Sequence, residues 1–251
     1  MKPIHLLDHG YIRLLDSMGN DLSVVRAARC SYDAEWRTGE DEGKDEGLLR
    51  YLTKNRHSTP FEAVTLQFEV QAPIFVFRQW HRHRTQSYNE MSARYVELPE
   101  VFYVPDVEQI TQQTKSNKQQ RGGVVNPNSA AYNWAIRDAC ENAFVRYREL
   151  LNDDDPCPRE LARGVLPFNT YSRMFVTMNL HNAFHFIGLR DHSHAQYEIR
   201  VYAAAMREMI RTVAPVSMKV WEENQLREEQ KEKLMTLVES GNLALEEILA
   251  Q

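Results

Sequence analysis

Between Val64 and Gln71 apolar and polar residues alternate without a break, with Val64, Leu66, Phe68 and Val70 set against Thr65, Gln67, Glu69 and Gln71. Successive side chains of a strand point to opposite faces, so the pattern predicts a strand with one face in a core and the other in water. Its apolar face needs a covering layer. Pro73 suits a first helical turn, and Ile74, Phe75, Phe77 and Trp80 predict a buried helix running on to the triplet Arg82-His83-Arg84. The chain therefore brings a cluster of cations out of a buried element.

The remaining chain mixes strands and helices. Tyr11 to Leu15 reads as a strand and Gly19-Asn20 as a turn, and Asp21 or Ser23 can cap a short helix through Arg29. Residues 38–47 are rich in Gly and acids and read as a loop, with Leu48 to Lys54 helical after it. Residues 109–130, polar with a Gly pair and a Pro, predict a long mobile surface excursion. A helix from about Ala131 to Leu151 carries Ala135, Ala139, Phe144, Tyr147 and Leu151 as its apolar stripe and ends at Asp153-Asp154-Asp155-Pro156. Pro158 opens a short helix and Tyr171 to Met178 suits a strand. Helices over about Leu180–Leu189 and Ser193–Thr212 follow, then a charged helical tail over 216–251. No internal repeat, GxGxxG or P-loop occurs, and no βαβ rhythm develops. The expectation is an α+β fold of one domain spanning 1–251, with a mostly antiparallel sheet packed against helices.

Hydrophobic residues at 43% and charged residues at 26% suit a chain that buries its own core. No apolar run is long enough for a membrane span, and the first ten residues lack the layout of a secretory signal, so a cytoplasmic protein is expected. Cys30, Cys140 and Cys157 form no CxxC pair, and an odd count argues against a disulfide framework. Cys140 and Cys157 are expected on a surface-like helix and a turn. A net charge of −5 disfavours general attraction to nucleic acid or anionic membrane, yet leaves room for a local phosphate pocket.

The stretch from Arg78 to Arg94 holds four arginines, Arg78, Arg82, Arg84 and Arg94, against Glu90 as the one carboxylate. A guanidinium binds phosphate through two parallel charge-assisted hydrogen bonds, and Ser92 with nearby backbone N–H groups can complete an anion nest. Arginines leaving a buried helix need anionic partners, which one glutamate cannot supply. A solvated arginine face is the bland alternative, and the apolar run Ile74-Phe75-Val76-Phe77 before it argues for a cleft instead.

Arg82-His83-Arg84-x-x-Ser87-x-Asn89-Glu90-x-Ser92-x-Arg94 resembles the signature of the flavin-dependent thymidylate synthase (ThyX) family. The likeness extends through Ala27-Ala28-Arg29-Cys30-Ser31, through His57-Ser58-Thr59-Pro60-Phe61-Glu62 and through Asn179 to Glu198, and so covers most of 1–215. The resemblance implies dUMP contacts from Gln79, Arg82, Glu90, Met91, Ser92, Ala93, Arg94, Arg163 and Arg190, with Ser92 and Arg94 on the phosphate. It implies FAD contacts from Ser31, Thr59, Arg82, His83, Arg84, Asn89, Glu90, Asn179, His181 and His185. It further implies reductive methylation of dUMP to dTMP with methylenetetrahydrofolate and NADPH as co-substrates, no cysteine nucleophile, and a homotetramer with shared sites. Arg190 is assigned a catalytic part at the uracil edge.

The residues admit two other readings. His181 and His185 stand four apart with His192 and His194 beyond, but no HExxH frame or nearby acid set supports a metal, so none is expected. His192 and His194 read as helix-capping or core histidines. A nucleic-acid module using the arginines with Trp80 and Tyr88 lacks a basic stripe.

Overall fold

The computed structural model describes residues 1–115 and 120–239. In chain order the strands and helices begin with β1 (Ile4–Leu6), β2 (Gly10–Met18), α1 (Asp21–Cys30) and α2 (Glu42–Lys54). Next come β3 (Thr65–Pro73), α3 (Ile74–Trp80), β4 (Ser87–Glu90), β5 (Thr111–Gln113) and β6 (Arg121–Val125). They are followed by α4 (Ser129–Leu151), α5 (Arg159–Ala162), β7 (Tyr171–Asn179), α6 (Leu180–Arg190), α7 (Tyr197–Arg211) and α8 (Pro215–Glu239). The class is α+β, as expected. Two units share the chain, one of residues 1–17 and 65–209, the other of 18–64 and residues from 210 onward.

The first unit is built on a five-stranded sheet in the order β1-β2-β3-β7-β4. Its centre is the antiparallel pair β3 and β7, in register from Thr65↔Asn179 to Pro73↔Tyr171. Leu66, Phe68 and Val70 are buried with Met174, Val176 and Met178, so the predicted apolar face is the core face. The opposite face is less wet than the alternation implied. Glu69 is only 2% exposed, because Tyr11 donates to its carboxylate at 3.0 Å and Arg13 and Arg173 pair with it. Ionised groups survive such burial only when donors surround them. Pro73 ends the strand and precedes α3 rather than lying within the helix's first turn.

α3 buries Val76, Phe77 and Trp80. The Trp80 ring lies 4.4 Å from that of Phe186 on α6, and its indole N–H donates to Gln86 at 3.0 Å. The helix stops at Trp80, so the arginine triplet begins just beyond its end. α4 buries Cys140, Phe144 and Tyr147, while Ala135 and Ala139 are exposed. The apolar stripe therefore runs one position away from the expected one in the helix's first half, and Cys140 is a core thiol instead of a surface one. Phe144 and Tyr147 pack with Ala162 of α5, Phe102 and Leu166. The expected excursion over 109–130 is an ordered β5–β6 hairpin where described, and residues 116–119 lie outside the described residues. Arg121 of β6 pairs with the buried carboxylate of Glu198, which is what ties the polar hairpin down.

In the second unit α1 is capped by Asn20, not by Asp21 or Ser23 alone; Ser23 completes a capping box. Gly19 precedes it at φ +83°, the left-handed region that favours glycine. Asp21 instead accepts from the backbone N–H groups of Val216 and Ser217 at 2.9 and 2.7 Å, capping the start of α8. The loop expected over 38–47 is shorter, because Asp41 caps α2 from Glu42. Arg29 pairs with buried Asp45 at 2.6 Å. Of the predicted tail, residues 240–251 lie outside the described residues.

Gly10 is a point of close approach in the first unit. A Cβ there would lie 2.0 Å from the Tyr202 hydroxyl, which donates to the Gln71 carbonyl at 2.7 Å. Gly10→Ala is expected to lower stability by about 1–3 kcal/mol through overpacking, read as a lower urea midpoint. A Tyr202→Phe background should recover part of that loss.

Candidate active site

The motif strand is held by β7. β4 pairs with it from Ser87↔Thr177 to Glu90↔Met174, and the Met91 N–H extends the pairing to the Arg173 carbonyl at 2.8 Å. The parity of this register sorts the side chains. Directly paired residues share a face, so Ser87 and Asn89 lie with Phe175, Thr177 and Asn179, whereas Tyr88 and Glu90 lie with Val176 and Met174.

On the Glu90 side is a cleft of about 670 Å³. Glu90, Met91, Ser92 and Ala93 line it, and Arg163 and Gly164 approach from the segment after α5. Five expected nucleotide residues thus meet in one cavity. Arg163 reaches it because Ala162 and Leu166, either side, are held by the Phe144 and Tyr147 cluster. Arg94 is exposed and its guanidinium lies 3.2 Å from Glu160, with both side chains about half exposed. Such a pair contributes roughly 0–1 kcal/mol, so a phosphate can replace the carboxylate. Ile74, Leu98, Pro167, Phe168 and Ser172 complete the lining and were not singled out in the sequence. Phe168, 69% exposed yet facing the cleft, follows a proline between two elements, the only local signal that it is held in place.

The second group of expected residues surrounds the end of α3. Tyr88 donates to the His83 carbonyl at 2.6 Å and to that of Trp80 at 3.2 Å, fixing the triplet's backbone. His83 is buried, while Arg82 and Arg84 point to solvent, and no carboxylate of the described residues pairs with either. Arg190, at the end of α6, donates from Nε to His83 Nε2 at 2.9 Å and from a terminal nitrogen to the Gln79 carbonyl at 3.5 Å. An Nε2 that accepts carries no proton, so this imidazole is neutral with its hydrogen on Nδ1. Burial first, then the charge of Arg190, then His185 lower the His83 pKa to about 4. Burial also lowers the pKa of Arg190, which stays charged.

His185 is exposed with its ring 5.8 Å from that of His83, and His181 lies one turn before it on α6. Asn179 caps α6 by accepting from the Asn182 N–H at 2.9 Å, which leaves its amide N–H groups as donors. Asn89 and Asn179 share the sheet face opposite to Glu90, so this chain does not bring those three together. Ser31, at the end of α1, and Thr59, in the 3-10 turn Thr59–Ala63, are both exposed and belong to the second unit. His192 and His194 are exposed, and His192 Nδ1 accepts from the His194 N–H at 3.2 Å; they shape a turn and are neither core nor helix-capping residues. Among the described residues no group of three His, Cys, Asp or Glu side chains is placed to hold a metal ion. Likewise no described helix is long and apolar enough to cross a membrane.

A family model described as "Thymidylate synthase complementing protein" matches residues 13–216. The flavin-dependent thymidylate synthase of Gluconobacter oxydans is 44% identical over 227 residues, covering 89% of this chain and 74% of the relative. The chain belongs to the flavin-dependent thymidylate synthase family. A member from Thermus thermophilus is 43% identical over 223 residues, covering 89% and 79%. Among solved structures, the UMP/dUMP methylase PolB of Streptomyces cacaoi bound with 5-Br dUMP superposes with a TM-score of 0.78 at 38% identity, covering 88% of this chain and 97% of that one. Its complex with 5-Br UMP gives 0.77 at 36%, covering 88% and 96%. Family membership makes this chain an enzyme.

The neutral His83 has a measurable signature. Its folded pKa of about 4 lies below the ordinary value, so the unfolded chain binds more protons between about pH 4 and 6.5. Its contribution is present above about 6.5 and is lost as pH falls toward 4. His83→Gln should flatten the acid limb of a stability profile measured by urea unfolding, and NMR should find the wild-type imidazole uncharged at pH 5.5.

Proposed function

We propose that the chain catalyses the reductive methylation of dUMP to dTMP, with methylenetetrahydrofolate as carbon donor, NADPH as reductant, FAD as the bound redox group and no cysteine nucleophile. The observation that carries this reading is the convergence of Glu90, Met91, Ser92, Ala93 and Arg163 on one cleft. The similarity to PolB, solved with 5-Br dUMP, supports it.

Ser92, Arg94 and Arg163 would take the phosphate, with Gln79, Arg82, Glu90, Met91 and Ala93 along the rest of the nucleotide. A dianion exchanges with Glu160 on Arg94 at little cost, since that pair is half exposed. Binding energy at the phosphate then orients the base. Arg190 would serve the uracil edge. Its Nε is committed to His83 and one terminal N–H to the Gln79 carbonyl, which hold the guanidinium still, while its remaining N–H donors are left for a ring oxygen on which charge builds. Because His83 is neutral, it anchors Arg190 without adding a competing positive charge.

The residues expected to hold FAD fit such a group in their donor chemistry: Arg82 and Arg84 suit a diphosphate, and His181, His185, Asn89 and Asn179 offer ring faces and amides. When bound, FAD supplies the transfer of reducing equivalents from NADPH. His83, Glu90, Ser31 and Thr59 complete the expected set. Their spread over both sheet faces supports a site assembled from several copies in a homotetramer, with the whole of 1–251 acting as one catalytic domain in the cytoplasm. The cysteines fit the absence of a thiolate step. None lines the cleft, Cys140 is buried, and burial with the neighbouring Glu141 raises its pKa.

Purified protein is expected to show flavin absorbance, and its reduced flavin to reoxidise under anaerobic conditions only when dUMP and methylenetetrahydrofolate are both present. Turnover of UMP as fast as dUMP would redirect the substrate assignment. Arg190→Ala should slow dTMP formation about 10²–10³-fold, the size expected for one lost charge-stabilising donor, and wild-type rates would remove its catalytic part. A Cys30→Ser, Cys140→Ala, Cys157→Ser protein should retain FAD-dependent turnover within a few-fold. Loss of turnover with FAD still bound would restore a thiolate to the mechanism.

A further inference from the structure

The polar groups leading away from Gln79 permit only one hydrogen-bond polarity. They begin at Glu198, near the start of α7, whose side chain is buried. Three donors converge on its carboxylate: the Tyr103 hydroxyl at 3.0 Å, the Arg121 guanidinium, and Nε2 of Gln196 at 2.8 Å. An ionised carboxylate accepts and never donates, so Gln196 must turn its NH₂ toward Glu198. The Gln196 amide then offers its oxygen on the other side, where it accepts from Nε2 of Gln79. Gln79 keeps Oε1 and the second N–H of its amide, and no donor of the described residues reaches that oxygen. The two ends of an amide have nearly the same shape, so a glutamine without a fixed partner can present either. Glu198 removes that choice from a distance, through the intervening Gln196.

We propose that Glu198 is a positioning residue of the nucleotide site: through Gln196 it fixes the Gln79 amide with its oxygen toward the substrate, so that Gln79 reads a hydrogen-bond donor of dUMP. The inference rests on the assignment of Gln79 to the nucleotide site. Arg121 neutralises the buried carboxylate, so the β5–β6 hairpin supports the nucleotide site through this relay.

A double-mutant cycle on FAD-loaded enzyme, read by equilibrium binding of dUMP, tests it. Gln196→Met removes the relay at an exposed position and leaves Tyr103 and Arg121 on Glu198. It should weaken dUMP binding about three- to tenfold, the worth of one neutral hydrogen bond, raising KM with kcat, thermal midpoint and FAD content little changed. Gln79→Ala should cost about as much, and the double variant should bind no more weakly than Gln79→Ala alone. Additive losses, or a Gln196→Met enzyme that binds dUMP like the wild type, overturn the relay. Glu198→Gln, whose own amide can turn, should reproduce the Gln196→Met loss; if it fails to fold, the Gln196→Met cycle decides alone. A wild-type enzyme that binds no dUMP sinks the nucleotide assignment and this inference together, whereas wild-type binding with additive losses sinks only the relay.

Discussion

The nine-residue antiparallel pairing of β3 with β7 is the constraint on which the first unit depends. One partner leads directly into α3 and the arginine triplet, the other into α6 and Arg190, so that their register decides where both helices start. The Trp80–Phe186 contact joins those helices, and only then can Arg190 reach His83. β7 also carries β4 on its far edge, which draws the motif strand against the same scaffold. Ladder hydrogen bonds and a shared apolar face thus position three chain segments that lie far apart in sequence.

The electrostatic design follows from what the core excludes. Glu69 and Glu198 are buried and each is surrounded by several donors, so their cost is offset locally. Arg82 and Arg84 show the reverse: cations at the surface with no carboxylate partner among the described residues. The difference separates charges committed within the fold from charges left without a carboxylate partner among the described residues. His83 stands at the boundary, buried like the first group but kept neutral first by that burial and then by the charge of Arg190.

The sequence made the centre of the fold legible because its period is strong. The alternation over 64–71 and the β-branched and aromatic run over 171–178 found the two central strands to within a residue or two. It failed where a contact distant in sequence decides. Ala135 and Ala139 share a helical stripe with Tyr147 only approximately, and packing of Phe144 and Tyr147 against α5 and Leu166 sets the buried face, on which Cys140 lies one turn earlier. The polar composition of 109–130 hid a hairpin whose anchor, Arg121, is explained by a carboxylate seventy-seven positions later. In the site, the motif residues from Glu90 to Ala93 were readable as one group, whereas Phe168 and Ser172 belong to it only through the path of the chain around the cleft. Nor does spacing along a strand reveal which of Asn89 and Glu90 takes the core side until the pairing with β7 is known.

That last feature limits how the motif can vary. Because pleating assigns alternate residues to opposite sides, inserting or deleting one residue between Thr85 and Glu90 would exchange every assignment downstream, even with all the original letters kept. The sheet tolerates changes of composition here more readily than changes of length. An odd shift scrambles the two surfaces, and an even one preserves their order while displacing the strand against its neighbour.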